Sequence, residues 1–259
     1  MQLRAYAKIN WALRVTGKRA DGYHDIETLF QTISLHDTIT IEPAPRLSLT
    51  CTDPTIPTGE SNLVMRAAKA AGLVARIHLE KRIPAGGGLG GGSSDAAAVL
   101  AFADQFDLEV ALSIGSDVPF FIHGGTQYAT GRGDVLTPLP PVAPVPLLLL
   151  MPAERVATAE AYASMRTFSP PLGIERYHAM IADDLLAHAA ELINDFEDPI
   201  FARLPHLRAL KTRLYDAGAA WAAMSGSGST IAGAFRSQAD RDRALAGFAD
   251  VRAVSCETV

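Results

Sequence analysis

The sequence predicts an α+β fold in two parts, and three observations point to it. Residues 3–15 alternate between apolar and mostly polar side chains, which is the period of a β-strand with one buried face. Residues 86–92 place six glycines between a strand-like segment and a helical one. Beyond residue 157 helical patterns outnumber strand-like ones. Strands and helices in both halves therefore indicate a layered α+β structure.

The N-terminal half contains mainly strand-like patterns, interrupted by two helical ones. A turn at residues 19–22 follows the first strand, whose polar face carries Lys8 and Asn10. Helices are expected at residues 62–73, with Ser61 or Asn62 as N-cap, and at residues 95–103, with Ser93 or Ser94 as N-cap. Further strands are expected at residues 27–35, 38–42, 76–81, 118–122 and 127–130.

A charge-free stretch at residues 135–153 separates the two halves. Its six prolines exclude a membrane-spanning helix, so it is predicted to be an extended connection leading into a buried strand at residues 147–151. We therefore place a domain boundary here, between residues 1–141 and 142–259. The second half is predicted to contain helices at residues 158–165, 174–193, 207–217 and 239–248, and strands at residues 219–224, 230–235 and 251–255.

The composition indicates an ordinary globular protein and excludes some classes of partner. The 23 Lys+Arg against 28 Asp+Glu leave a net charge of −5, which argues against a basic nucleic-acid surface. Charged residues near the N-terminus interrupt any signal peptide. Cys51 and Cys256 lie far apart without metal-ligand spacing, as in reduced cytoplasmic proteins. We expect neither nucleic acid nor membrane as a partner, and a monomer or a weak homodimer.

The glycine cluster points to anion binding. Glycines between a strand and a helix let several backbone N–H groups face one ligand, and the helix presents its positive end, so a nucleotide polyphosphate is the favoured ligand. A P-loop is excluded because no lysine ends the motif. Gly86, Gly88 and Gly91 match the dinucleotide pattern G-x-G-x-x-G, but no strand precedes Glu109, the nearest acidic candidate. A flexible linker is the remaining alternative.

Residues 84–94, PAGGGLGGGSS, resemble the central motif of the GHMP kinases. Five further segments resemble the branch of that superfamily that acts on 4-diphosphocytidyl-2-C-methyl-D-erythritol in the non-mevalonate isoprenoid pathway. They are residues 7–10, 19–24, 114–121, 194–197 and 224–229. The resemblance implies a two-domain GHMP-kinase-like fold with the active site in the cleft between the domains. It also implies transfer of the ATP γ-phosphoryl group to the substrate's 2-hydroxyl, with ATP as co-substrate and Mg²⁺.

The same resemblance implies a set of site residues. Asp117 corresponds to the catalytic aspartate and Lys8 to the catalytic lysine. The nucleotide-binding residues would be Pro84, Ala85, Gly86, Gly87, Gly88, Leu89, Gly90, Gly91, Gly92, Ser93 and Ser94. The substrate-binding residues would be Asn10, Tyr23, His24, Tyr162, Gly226 and Ser227, with the aromatic residues and His24 against the cytosine. No metal ligand is assigned.

Two departures from the family pattern leave alternatives open. Asp95 to Asp117 spans 23 positions, fewer than the family usually has, so the helix after the glycine loop must turn earlier. Asp95 stands where many relatives have Asn or Ala, and its carboxylate is expected near the bound phosphates, weakening nucleotide affinity or helping to hold Mg²⁺. The alternatives are another GHMP kinase, of homoserine or mevalonate type, or a nucleotide-binding relative without catalysis. An NAD-dependent oxidoreductase is a more distant alternative.

Overall fold

The computed structural model describes all 259 residues and divides into two compact units. Both units contain strands and helices, as predicted. The predicted boundary between residues 141 and 142 stays a prediction. Unit 1 comprises Met1–Lys8, Leu35–Ala85 and Gly90–Gly124, and unit 2 comprises Ile9–Ser34, Gly86–Leu89 and Gly125–Val259.

The strands form two sheets. Ten strands occur in chain order: β1 Gln2–Lys18, β2 His24–Pro43, β3 Ser48–Cys51, β4 Ala75–Glu80, β5 Thr126–Thr130, β6 Val135–Pro138, β7 Pro146–Met151, β8 Trp221–Met224, β9 Ile231–Ala234 and β10 Arg252–Glu257. The six-stranded sheet has the order β3-β4-β2-β5-β6, with β1 paired to β2, and the four-stranded sheet has the order β10-β7-β9-β8. All pairs with a resolved register are antiparallel except β3 with β4.

Nine α-helices and one 3₁₀ helix complete the fold. They are α1 Leu63–Ala70, α2 Gly91–Phe102, α3 Leu108–Ile114, α4 Val118–His123, α5 Thr158–Ser164, α6 Ile174–Ala182, the 3₁₀ helix Leu185–Glu191, α7 Glu197–Arg203, α8 Pro205–Asp216 and α9 Gln238–Leu245. No helix is both long and apolar enough to cross a membrane.

Each unit has its own hydrophobic core. In unit 1, Val64 of α1 and Ala97 of α2 belong to one buried cluster with Ile77 of β4. In unit 2, Leu214 of α8 belongs to a buried cluster with Leu148 of β7. Burial of aliphatic side chains of this size contributes about 1.5–3 kcal/mol each, so packing between helices and sheet stabilises both units.

The first strand is buried on both faces, although its alternation predicts only one buried face. The odd, apolar positions from Ala5 to Val15 are buried as expected, but Lys8 and Asn10 on the opposite face are also only 4% and 1% exposed. Buried polar groups are stable when they are paired, and both have internal partners. Lys8 forms an ion pair with Asp117, and the Asn10 amide donates to Thr28.

The predicted strand at residues 118–122 is wrong, because this segment is helix α4. A short apolar run does not by its periodicity distinguish a buried strand from a buried helix. Pro119 lies in the first turn, where its missing N–H has no intrahelical partner to lose, and Gly124 follows the helix with a φ of +63°. The preceding segment, unassigned from the sequence, contains α3 with Asp107 as its N-cap.

Three further elements, β3, β6 and α7, were not predicted, and the other differences concern where elements begin and end. The two strands predicted at residues 27–35 and 38–42 are one continuous strand, β2. The long helix predicted at residues 174–193 ends at Ala182, and Asp184 then caps the 3₁₀ helix by accepting from the Leu186 amide. Ser93 and Ser94 are not N-caps, since α2 begins at Gly91 after a left-handed Gly90. Asn62 does cap α1, as one of the two predicted candidates.

Candidate active site

The centre of the candidate site in unit 1 is an ion pair between Lys8 and Asp117. The Lys8 Nζ lies 4.0 Å from the Asp117 Oδ2, and the two side chains are 4% and 34% exposed. Burial lowers the pKa of Lys8, and the charge of Asp117 partly opposes that effect. The structure therefore brings together the two predicted catalytic residues, one buried and one accessible to solvent.

The backbone around the pair explains how the two side chains meet. Asp117 occupies the N-cap position of α4 but makes no capping hydrogen bond. Gly90 has a φ of +70°, and a Cβ there would come within 2.7 Å of the Phe121 ring and 3.3 Å of the Lys8 Cγ. Only glycine lets the chain pass so close to both side chains. The short segment before Asp117 is thus compatible with the ion pair.

The start of α2 offers backbone donors for an anion. The first intrahelical bond runs from the Ser94 amide to the Gly90 carbonyl, so the amides of Gly91, Gly92 and Ser93 precede it. These amides form the positive end of the helix. The Ser94 hydroxyl is directed elsewhere, donating to the Tyr6 carbonyl at 2.6 Å. Ser93, in contrast, is only half-buried.

A buried ionic network holds the two ends of the glycine loop within unit 1. The Lys81 ammonium donates to Asp37 and to the Asp95 Oδ2, the latter at 2.8 Å, and all three side chains are at most 5% exposed. The Asp37 carboxylate also accepts from the amides of Arg82 and Ile83, directly before the loop. Asp95 belongs to the first turns of α2. The network therefore joins the residues before the loop to the helix after it.

The network shifts two pKa values. Burial raises the pKa of the Asp95 carboxyl to about 7 despite the charge of Lys81, and Asp37 adds to the increase. Burial lowers the pKa of Lys81, but the two carboxylates outweigh it and the pKa is raised. The expectation that Asp95 faces bound phosphate is not met, since its Oδ2 is directed to Lys81 and its buried Oδ1 has no hydrogen-bond partner.

In unit 2 the tip of the first glycine loop contacts the second one. The Ser225 hydroxyl donates to the Gly88 carbonyl at 2.9 Å, and the Thr230 amide donates to the Gly87 carbonyl at 3.3 Å. Gly88 has a φ of +78°, and a Cβ there would collide with the Ser225 carbonyl oxygen. Leu89 is buried beside them. The two glycine-rich segments therefore form one continuous surface.

The segment at residues 194–197 holds the second glycine loop in place. The Asn194 amide donates to the carbonyls of Met224 and Gly226 at 2.6 and 2.8 Å. Glu197 accepts from the Met224 amide at 2.8 Å. Ser227 is fixed from another side, because its hydroxyl lies 3.1 Å from that of Thr158. Residues 194–197, which the sequence analysis singled out only by resemblance, therefore hold the second glycine loop through hydrogen bonds.

The predicted base-binding residues lie on adjacent segments of unit 2. His24 stacks on Tyr162 with ring centroids 5.0 Å apart and 17° between the planes. Tyr162 in turn packs edge-on against Phe196. Tyr23 is 56% exposed, and the Arg132 guanidinium covers one face of its ring at 4.8 Å. Burial and the nearby Lys18 lower the pKa of His24, which favours a neutral imidazole at pH 7.

No group of three or more His, Cys, Asp or Glu side chains is placed to hold a metal ion. Mg²⁺ bound to a nucleotide needs only one or two protein ligands, because phosphate and water oxygens supply the rest. The residues present are compatible with Mg²⁺ that arrives on ATP, and no protein ligand is assigned to it.

Sequence reasoning identified most of these residues but missed Asp37 and Lys81. Lys81 lies three residues before the glycine motif that starts at Pro84, yet a lysine at the end of a strand usually lies in solvent. Asp37 lies 44 residues before it, between two strand-like runs, and no local pattern links the two. Only the folded chain could show that they form an ion pair.

Comparisons with known proteins agree with the fold and the motifs. Two family profiles match: GHMP kinases N terminal domain over residues 62–125, and GHMP kinases C terminal over residues 178–251. A 4-diphosphocytidyl-2-C-methyl-D-erythritol kinase from Chlorobium luteolum is 39% identical, over 95% of this chain and 92% of the relative. The enzyme of that name from Salinibacter ruber is 41% identical, over 93% of this chain and 92% of the relative.

The chain resembles one solved structure in both sequence and fold, and others in fold alone. A crystal structure of 4-(cytidine 5'-diphospho)-2C-methyl-D-erythritol kinase superposes with a TM-score of 0.86 at 36% identity, covering 100% of this chain and 99% of that one. A homoserine kinase from Cytophaga hutchinsonii reaches a TM-score of 0.65 at 17% identity, covering 97% of this chain and 94% of that one. This second likeness shows the GHMP fold alone. The chain belongs to the 4-diphosphocytidyl-2-C-methyl-D-erythritol kinase family of the GHMP kinases.

Proposed function

We propose that the protein transfers the γ-phosphoryl group of ATP to the 2-hydroxyl of 4-diphosphocytidyl-2-C-methyl-D-erythritol, giving the 2-phosphate and ADP in non-mevalonate isoprenoid biosynthesis. The observation that carries the proposal is the pairing of buried Lys8 with accessible Asp117 at 4.0 Å. A carboxylate that solvent can reach, with a cation behind it, suits the removal of a hydroxyl proton.

In this mechanism Asp117 accepts the proton of the 2-hydroxyl. The hydroxyl oxygen forms the new bond to the γ-phosphorus, the bond from that phosphorus to the β-γ bridging oxygen breaks, and ADP leaves with the electron pair. Phosphoryl transfer passes through a loose transition state, so alignment and charge stabilisation account for most of the catalysis. Lys8 stabilises the ionised Asp117 and the charge on the transferred group.

The glycine loop binds the nucleotide in this proposal. The amides of Gly91, Gly92 and Ser93 at the start of α2 suit phosphate oxygens, and the buried network of Lys81 holds that start in position. Mg²⁺ bound to the ATP phosphates would neutralise part of their charge, and no residue of this chain is assigned to hold it. The remaining residues of the loop, 84–90, would contact the nucleotide through backbone rather than side-chain groups.

The acceptor's cytosine binds at Tyr23, His24 and Tyr162. The exposed ring of Tyr23 offers a stacking surface, since Arg132 covers only one face. A neutral His24 can donate from one ring nitrogen and accept at the other, which suits the polar edge of a pyrimidine. Asn10, Gly226 and Ser227 are assigned to the remainder of the acceptor.

A coupled assay of ADP release tests the proposal with a panel of acceptors. The expected result is turnover with the cytidine-linked substrate and none with homoserine or mevalonate. Asp117→Asn should lower kcat by about 10²–10⁴-fold, the range for loss of a general base. Asp216→Asn, at an exposed position, is the matched control and should keep full activity. Full activity of the Asp117 variant would refute the assigned role.

The catalytically inactive alternative rested on the short segment before Asp117. Since that segment still allows Asp117 to pair with Lys8, no observation now favours it. Location and partners complete the proposal: a cytoplasmic enzyme that acts on small molecules, binds no nucleic acid and is a monomer or a weak homodimer. Size-exclusion chromatography across a concentration series tests the last point.

A further inference from the structure

The surface on which the two glycine loops meet carries a single basic side chain, that of Arg155. We call this surface the glycine rim and define it as Gly86–Leu89 together with residues 154–158 and 225–229, all in unit 2. Hydrogen bonds join the third segment to the other two: hydroxyls of the second loop reach Gly88, Thr158 and the Glu154 carbonyl. Among these residues Arg155 is the only Lys or Arg.

The stem of Arg155 lies against the backbone of the first glycine loop. A Cβ at Gly86 would meet the Cβ, Cγ and Cδ of Arg155 at 3.5–3.6 Å, so the aliphatic part of the arginine lies beside the space that a side chain at Gly86 would fill. Gly86 has a φ of +72°, which disfavours any side chain there. The loop backbone on one side of the stem leaves it fewer open directions, and a side chain with less freedom loses less entropy when it binds a ligand.

The guanidinium at the end of this stem has no ion pair or hydrogen bond within the protein, and Arg155 is exposed. No ion pair joins it to the adjacent carboxylate of Glu154, whose Oε1 lies 3.3 Å from the His206 Nε2. Two other cationic side chains near the glycine loops, those of Lys8 and Lys81, do have carboxylate partners. Lys8 pairs with Asp117, and Lys81 is buried between two carboxylates.

The chemistry of the glycine rim selects the ligand. Its other groups are backbone amides and serine hydroxyls, which are neutral donors suited to phosphate oxygens. An arginine adds a full positive charge and a planar set of donors that fits a phosphate group with two parallel hydrogen bonds. Both substrates of the proposed reaction carry linked phosphates, so an unpaired arginine at this position has a ligand of matching charge.

We infer that Arg155 is a substrate-binding residue whose guanidinium binds a phosphate group at the glycine rim. The inference rests on the proposed function for the identity of the two ligands, ATP and the cytidine-diphosphate-linked acceptor. The inference adds the side chain of Arg155, from the segment after β7, to the binding site. Neither the glycine motifs nor the proposed mechanism includes this residue.

The decisive variant is Arg155→Met, which retains most of the stem over Gly86 and removes the charge. The expected result is a rise of about 10- to 100-fold in KM for one substrate, because a hydrogen bond to a charged partner contributes at this level. The KM for the other substrate should stay within about twofold of wild type. Arg155→Lys should fall between wild type and Arg155→Met, since it keeps the charge but not the planar donors.

Measuring the two KM values separately shows which phosphate is bound. A rise for ATP assigns Arg155 to the nucleotide, and a rise for the acceptor assigns it to the acceptor's diphosphate. Arg46→Met is the matched control, because Arg46 is also exposed and has no ion pair. If Arg155→Met leaves both KM values at the level of this control, the inference is wrong.

Salt dependence adds a readout that a purely structural role would not change. Raising the ionic strength should weaken binding to wild type more than to Arg155→Met, because an exposed charge pair is screened. Calorimetry with a non-hydrolysable ATP analogue and with cytidine diphosphate separates this inference from the proposed function. A wild type that binds these ligands but turns over no acceptor refutes the function, while equal affinities of wild type and Arg155→Met refute the role of Arg155.

Discussion

Two lysines of unit 1, Lys8 and Lys81, are almost equally buried, yet their pKa values shift in opposite directions. Their side chains are 4% and 5% exposed. Burial lowers the pKa of both, but for Lys81 two carboxylates at hydrogen-bonding distance outweigh it. For Lys8 the single carboxylate of Asp117, 4.0 Å away, does not. The number and distance of the partners, rather than burial, decide the direction.

We propose that the difference separates a structural charge, that of Lys81, from a functional one, that of Lys8. Lys81 neutralises two buried carboxylates and so stabilises the fold around the glycine loop. Lys8 is held in a setting that disfavours its charge, and such settings are found more often where a charge is used on a ligand. Replacing each lysine by methionine tests this distinction, since methionine has a similar length and no charge.

Lys81→Met should have the largest effect on stability. It leaves Asp37 and Asp95 buried together without their cation, and breaking a buried ion pair in this way costs about 3–5 kcal/mol. Urea denaturation followed by circular dichroism measures the loss. Lys69→Met, at an exposed pair with Glu60, is the control and should cost less than about 1 kcal/mol. Equal stabilities of the two variants would contradict the structural role.

Lys8→Met should lower activity rather than stability, the opposite of Lys81→Met. We expect kcat to fall by about 10²–10³-fold, the range for removing one group that stabilises transition-state charge. The free energy of unfolding should stay equal to that of wild type or rise, because a buried charge is removed and Asp117 remains hydrated. Activity and denaturation are measured on the same preparation. A large loss of stability would show that Lys8 resembles Lys81.

Asp95→Asn tests the network through pH. The folded chain holds the pKa of Asp95 at about 7, above its ordinary value of 3.8, so between these values the folded chain binds a proton that the unfolded chain releases. This contribution to stability is complete below the lower value and is lost as pH rises toward the higher one. Its slope approaches about 1.4 kcal/mol per pH unit.

The variant should lack this slope, because asparagine does not titrate. The free energy of unfolding of wild type relative to Asp95→Asn should therefore fall by more than about 1.4 kcal/mol between about pH 5 and about pH 8. Denaturation at several pH values gives the difference. Parallel curves for the two proteins would show that the pKa of Asp95 is not raised.

Tyr23→Ala should have the smallest effect and extends the comparison to a residue with little burial. Loss of base stacking should raise KM for the acceptor by about tenfold, while KM for ATP and the stability stay unchanged. Tyr23→Phe keeps the ring and should remain near wild type. A rise in KM for ATP instead would place Tyr23 outside the cytosine site.

Prediction from the sequence was most successful where function depends on local backbone. The first glycine loop, strand β1 and the glycine-rich loop between β8 and β9 are encoded by neighbouring residues, and each is present in the structure. It failed at α4, because an apolar run such as residues 118–122 fits a buried strand as well as a buried helix. It also failed at the start of α2, where glycine rather than serine occupies the N-cap.

The sequence by itself determined the family of the protein and its glycine loops and indicated Lys8 and Asp117 as candidate catalytic residues, because these are carried by ordered local motifs. Only the tertiary structure decided that Lys81 pairs with Asp37 and Asp95, and that Arg155 lies over Gly86. The physical reason is that ion pairing and burial depend on residues distant in sequence. A charged side chain carries no local sign of whether water or a buried partner will surround it.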